Sequence, residues 1–238
     1  MNLGWVGAAS STTGYCTYYQ WGRKDAFIPS TGTNNTNHTV YNISGNLVTT
    51  KAYSHTNDDN MTIGGNIQNP TVHNRKFANL GPCETAYYNM WDALQQTSNI
   101  EAAVATVKTI YDPCPPGFCV PTIGLYYHIF SQTRPEWNTG YTYSGVFFPA
   151  KGYRNGANGN LYSVGTIGYC WSATARYNTD GRKFEFYDSD WNLYGSNRAL
   201  GCTVRAVAED AEIVSPIPTL TGSFGDREGS YTNQPLPF

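Results

Sequence analysis

The chain predicts an α+β domain dominated by β-sheet, and three observations carry that prediction. Aromatic residues make up 15% of the 238 residues, with 19 Tyr, 6 Trp and 10 Phe, whereas charged residues make up 13%. Such a composition buries a core, because disordered chains combine few aromatics with high net charge. Short runs of aromatic and β-branched residues are separated by Gly- and Asn-rich turns, as strands are. Helical periodicity is confined to one stretch, between Glu84 and Lys108. The length fits one domain followed by a tail. With 15 Lys and Arg against 17 Asp and Glu, the net charge of -2 gives no surplus to neutralise phosphates, which argues against sequence-independent nucleic-acid binding.

In chain order, the start Met1-Asn2-Leu3-Gly4-Trp5-Val6 is strand-like and lacks the basic and apolar regions of a signal peptide. Either the protein is not exported by the general route, or the sequence begins after a removed leader. No stretch approaches the ~20 apolar residues that span a bilayer, so a membrane-spanning chain is not expected. Tyr15–Gly22 reads as a strand, broken by Arg23-Lys24-Asp25 before Phe27. From 29 to 79 a long polar insertion rich in Thr, Asn, Gly and Ser follows, with apolar islands at Val40–Ile43 and Leu47–Val48 that suit a hairpin. Its Asn-x-Ser/Thr triplets at Asn34, Asn37, Asn42 and Asn60 are what such a composition produces without glycosylation.

Two short helices are expected next. Tyr88, Trp91 and Leu94 fall three apart on one stripe, and Ser98-Asn99-Ile100-Glu101 forms a capping box ahead of Ala102–Val107. Leu125–Phe130 suits a helix or a strand equally. After Val146 the chain is β again, through Val146–Pro149, Tyr169–Thr174, Lys183–Tyr187 and Cys202–Val207. Phe184 and Phe186 alternate with Lys183, Glu185 and Tyr187, which turns the two Phe inward. Residues 1–210 read as the domain and 211–238 as an extended, Pro-punctuated arm that could dock onto a neighbouring subunit or assembly.

The cysteines at 16, 83, 114, 119, 170 and 202 read mainly as free buried thiols, although Cys114 and Cys119 are close enough to bridge. The four His at 38, 55, 73 and 128 stand alone, without the clustered spacing of a zinc site. No nucleophile–base set, carboxylate pair or phosphate-binding loop stands out.

Several segments recur together in one family. These are Tyr19–Asp25, Tyr111–Gly117, Val120–Thr122, Phe148–Arg154, Trp171–Thr174 and Asn197–Arg205. In that order they resemble the major-paralogous-domain (FISUMP) proteins of gut Bacteroidetes and their phages. The resemblance covers about 19–209 apart from the insertion. It implies the C-type lectin-like fold of the formylglycine-generating-enzyme subclass, a twisted antiparallel sheet with long loops. A subset of the family is the variable protein of a diversity-generating retroelement, whose C-terminal face is rewritten while the fold stays fixed. The tail beyond Glu209 and Cys119, where relatives more often carry a basic residue, depart from that pattern.

The resemblance implies non-catalytic recognition of a cell-surface protein or glycan, on a phage tail or a bacterial surface, with a homo-oligomer as one arrangement. It implies a framework of Trp171, Ser172, Phe184, Phe186, Ser189, Asn197, Arg198, Gly201, Val204 and Arg205. Interleaved with it is a candidate binding set of Tyr169, Arg176, Tyr177, Asn178, Asp180, Arg182, Glu185, Tyr187, Asp190, Trp191, Asn192, Tyr194, Leu200 and Cys202. Cys170 also falls among the interleaved positions. Aromatic anchors ringed by charges suit protein recognition. A lectin is the alternative, and a fixed adhesin another. No cofactor is expected; Asp188, Asp190 and Asn192 alternate as oxygen donors for Ca²⁺ but lack further ligands. The fold relatives that are enzymes use a Cys pair, which here would be Cys202 with Cys170, a thiol-dependent oxidoreductase reading.

Overall fold

A computed structural model describes residues 16–27, 39–41, 47–49, 54–57, 63–75, 90–94, 105–131, 135–176 and 179–209. Among these residues the protein is mostly β-sheet with two short helices. The order is β1 (Tyr19–Gln20), β2 (Thr39–Tyr41), β3 (Leu47–Thr49), β4 (Ser54–Thr56), α1 (Ile63–Gln68), β5 (Val72–Asn74), β6 (Phe118–Cys119) and α2 (Ile123–Phe130). Then follow β7 (Glu136–Trp137), β8 (Gly140–Tyr143), β9 (Val146–Pro149), β10 (Tyr153–Arg154), β11 (Leu161–Tyr162), β12 (Ile167–Ala175), β13 (Asp180–Tyr187), β14 (Asp190–Asn197), β15 (Gly201–Val204) and β16 (Val207–Ala208).

The main sheet runs β11-β10-β15-β12-β13-β14, with β1 also paired to β15. β12, β13 and β14 are antiparallel, whereas β12 and β15 are parallel. One face of this sheet is sealed. Cys170, Phe184 and Phe186 on it are at most 1% exposed, and Trp191 and Leu193 pack against them. The lid consists of α2 and the β7-β8-β9 meander. Phe130 stacks 4.3 Å from Phe184, and Tyr141 stacks 5.1 Å from Phe186. Each such side chain contributes roughly 1.5–3 kcal/mol of burial. The inward alternation expected of Phe184 and Phe186 is what the strand shows.

α2 resolves the ambiguity at Leu125–Phe130. The helix starts at Ile123, and Ile123, Tyr126 and Phe130 form the buried stripe that meets the sheet. Its first turn is capped from outside: the Ile123 amide donates to Thr174 Oγ1 at 3.0 Å.

The opposite face is covered only at one end. There Trp21, Trp91 and Trp171 are all 0% exposed, and the Trp21 and Trp91 rings lie 5.6 Å apart. The buried indoles keep their hydrogen bonds: Trp21 Nε1 donates to the Ser172 carbonyl and Trp171 Nε1 to the Tyr19 carbonyl, both at 2.8 Å. Gly181 sits beneath Trp21, where any Cβ would overlap the indole. Gly152, with φ 62°, lies against the Tyr162 carbonyl so closely that no larger residue fits.

The helical stripe expected at Tyr88, Trp91 and Leu94 does not form over its described part. Residues 90–94 make bends and a bridge from Asp92 to Lys108; Trp91 is buried while Leu94 is 58% exposed. Burial of Trp91 against Trp21, with Asp92 Oδ1 accepting from the Leu94 and Val107 amides, replaces the helix. Residues 105–107 belong to no helix, and the capping box at 98–101 lies outside the described residues.

The 29–79 insertion contains the expected hairpin, β2 with β3, and a second unit that packs inward. Asn66, His73 and Asn74 are each 0% exposed. Gln20 Nε2 donates to the Asn74 and Ala199 carbonyls at 2.8 and 3.0 Å. Arg23 Nη1 donates to the Val72 carbonyl at 2.8 Å and Nη2 to the Asn66 carbonyl at 3.0 Å. Burial lowers the Arg23 guanidinium to about 10, offset in part by Asp25. The polar side chains of this segment are therefore partly interior ones, and its main-chain groups are held by Gln20 and Arg23.

Candidate functional site

The half of the second sheet face that the tryptophans leave uncovered carries a row of tyrosines. β11 contributes Tyr162, paired with Tyr153 of β10, their rings 5.8 Å apart and stacked. Tyr153 meets Tyr169 of β12 edge-on at 4.9 Å. Tyr169 pairs with Glu185 of β13, which pairs with Asn192 of β14. Alongside, Lys183 pairs with Tyr194. Because side chains alternate across a strand, all of these share one face.

Lys183 holds the centre of the row. Its ammonium lies 4.4 Å from the centroid of the Tyr169 ring and 5.8 Å from that of Tyr194, and it forms an ion pair with Glu185. The Lys183 side chain is only 3% exposed, so cation–π and ionic contacts replace its water. The ends of the row face solvent, with Tyr162 42% and Tyr194 52% exposed. Desolvation, then Glu185, pushes the Tyr169 phenol well up, so it stays neutral as a donor.

The candidate set is brought together in part. Glu185, Tyr187, Asp190, Asn192 and Tyr194 line this face, half-buried or exposed, and Asn192 Nδ2 lies 3.5 Å from the Tyr187 hydroxyl. Tyr169 belongs to the face but is only 9% exposed, sandwiched by Tyr153 and Lys183. Cys202 is fully buried beneath the row at 0% and offers a ligand nothing. Trp191 stands on the sealed side, paired with Phe186 and packed on the aromatic cluster. Arg182 shares the parity of Phe184 and so leaves the tyrosine face, and the Arg176 side chain lies over Gly195 on that same sealed side. Leu200 packs against the tryptophan core. Asp180, half-buried at the start of β13, receives the Thr179 hydroxyl at 3.3 Å. Tyr177 and Asn178 lie outside the described residues. Sequence reasoning missed Tyr153, Tyr162 and Lys183: the first two sit on two-residue strands too short to show a period, and Lys183 reads as a surface charge.

The calcium trio does not share a strand. Asp188 lies in the two-residue turn between β13 and β14, and the Asp190 carboxylate accepts from the Trp191 amide at 2.8 Å. Among the described residues no group of three or more His, Cys, Asp or Glu gathers for a metal. Cys16, Cys114, Cys119, Cys170 and Cys202 are buried free thiols; Cys83 lies outside the described residues. Cys170 aligns with Thr203, so its neighbour Cys202 points through the opposite face of the sheet and the two sulfurs cannot meet. Burial pushes Cys170 up to about 11, eased by its hydrogen bond with Thr203, and burial also holds Cys202 well above the ordinary thiol range. Thiolate chemistry is disfavoured at both.

Among the described residues no helix is long and apolar enough to cross a membrane. Neither a family model, nor a curated protein, nor a solved structure matches this chain.

Proposed function

We propose that this chain is a non-catalytic recognition module that binds a protein receptor through the tyrosine-lined face of its main sheet. The row Tyr162–Tyr153–Tyr169–Lys183–Tyr194 carries this reading. Tyrosines give rigid contact area at low entropic cost, and the flanking Glu185, Asp190 and Asn192 supply adaptable polar contacts. A buried charge pair beneath an aromatic surface preorganises the row, so little is lost on ordering it.

The fold belongs to the C-type lectin-like class and the chain to the FISUMP group, on the strength of the ordered sequence motifs. The places those motifs occupy support this. Gln20, Trp21, Arg23, Trp171 and Arg198 sit in the buried framework, and Arg198 stacks 4.3 Å above Trp21. β13 and β14 place successive residues alternately on a sealed and an open side, an arrangement in which a retroelement could rewrite one parity. Such a module works at a phage tail tip or on a bacterial surface.

The test is binding of the labelled protein to gut Bacteroidetes cells, to their isolated surface proteins and to a glycan array, with and without EDTA. Tyr194→Ala and Tyr162→Ala should each weaken binding to cells and to one surface protein by about 30-fold, the scale of an interface anchor, without lowering thermal stability. Binding confined to glycans, or unaffected by both substitutions, overturns the reading.

A further inference from the structure

We infer that two copies of this chain associate through β14, edge to edge and antiparallel about a two-fold axis at Leu193, joining their main sheets into one. β14 is the last strand of the seven-stranded sheet and eight residues long. Native edges of that length are normally guarded by Lys, Pro or a bulge. The sequence Asp-Trp-Asn-Leu-Tyr-Gly-Ser-Asn has neither Lys nor Pro, and its pairing to β13 runs without a register shift.

The backbone groups on offer follow from the register. β13 and β14 are joined by the two-residue turn Asp188-Ser189, so Tyr187 and Asp190 form a hydrogen-bonded pair. Asn192, Tyr194 and Ser196 therefore spend their main-chain groups on β13, and Trp191, Leu193 and Gly195 aim theirs outward. The Trp191 amide confirms the direction by turning to the Asp190 carboxylate. Among the described residues, nothing pairs with the outward groups of Leu193 and Gly195.

The edge is complementary to a second copy of itself. With the axis at Leu193, Leu193 faces Leu193 of the second copy, and Trp191 faces Gly195. The space above Gly195 is occupied by the aliphatic stem and guanidinium of Arg176. Trp191 of one copy thus comes against the Arg176 side chain of the other, twice per dimer. On the other face, Asn192 and Tyr194 of the two copies alternate across the axis and double the tyrosine row. The association rests on the edge alone and stands whether or not the face binds a receptor.

Hydrogen exchange followed residue by residue on the wild-type protein, together with sedimentation equilibrium, tests this from micromolar to millimolar concentration. A monomer–dimer equilibrium is expected. The amides of Leu193 and Gly195 should gain at least about tenfold protection as the dimer fills, while loop amides such as Val164 do not change. In a Cys83→Ser background, Leu193→Cys should oxidise to a covalent dimer, because directly opposed strand residues fall within disulfide reach; Ser196→Cys should not. A protein that stays monomeric, one that forms trimers, or a dimer that leaves Leu193 and Gly195 unprotected overturns the inference.

Discussion

Lys183 and Tyr169 lie on adjacent strands with the ammonium 4.4 Å from the ring centroid, so the sheet buries a cation under its own aromatic surface. The ammonium is simultaneously paired with Glu185, whose side chain is 17% exposed. Lys183→Met should cost about 3 kcal/mol, because a half-buried carboxylate loses its partner. Lys183→Met with Glu185→Gln should recover at least half of that loss. Urea unfolding of the two variants checks this; equal destabilisation by both would show that the pair is not the source.

His73 makes stability sensitive to mild acid. Its ring is 0% exposed, stacked on His55 at 5.5 Å and edge-on to Phe27 at 5.2 Å. Desolvation, then His55, Arg154 and Arg23, hold it well below the ordinary 6.5, with a backbone hydrogen bond to Ala199 acting the other way. Asp25 pairs with Arg23 at 3.7 Å. As the pH falls below 6.5, the unfolded chain takes up a proton that the folded one refuses. Stability is then lost at about 1.4 kcal/mol per pH unit per proton. Asp92 and Asp112, raised mainly by burial, act in the opposite sense closer to 3.8. The difference between wild type and His73→Gln isolates the histidine: its urea midpoint should vary less between pH 7 and pH 5.

The thiols should be inert until the fold opens. In a Cys83→Ser variant the remaining five cysteines are all buried, and desolvation pushes Cys119 and Cys170 up to about 11. Iodoacetamide at pH 8 should label none of them in buffer over a period in which all five react in denaturant, as read by intact mass. Rapid labelling of Cys170 or Cys202 in the native protein would reopen thiol chemistry.

The sealed face was legible because Phe184 and Phe186 repeat every second residue, and period two has one meaning on a strand. The tyrosine face was legible only within β13 and β14, where Glu185, Tyr187, Asn192 and Tyr194 keep the opposite parity. Arg182 breaks the intended grouping because it shares the parity of Phe184. Tyr169 and Cys202 read as exposed because alternation says which side a residue takes but not what covers that side; Tyr153 and Lys183 cover one, and the row itself covers the other. Trp91 obeys helical spacing and yet is placed by Trp21, seventy positions away in sequence. Single-strand periodicity carries no information about such partners.

Arg23 and Gln20 reach the 66–74 stretch through its carbonyl oxygens. Every amino acid carries that oxygen, so the grip recognises a path rather than a vocabulary. An outward letter such as the exposed Gln68 can be replaced while the ribbon keeps its course, whereas Asn69, also exposed, donates its side-chain amide to the Gly65 carbonyl at 2.8 Å. The scaffold therefore owns a second stretch where novelty is cheap, on the far side of the chain from the tyrosines in sequence and independent of them.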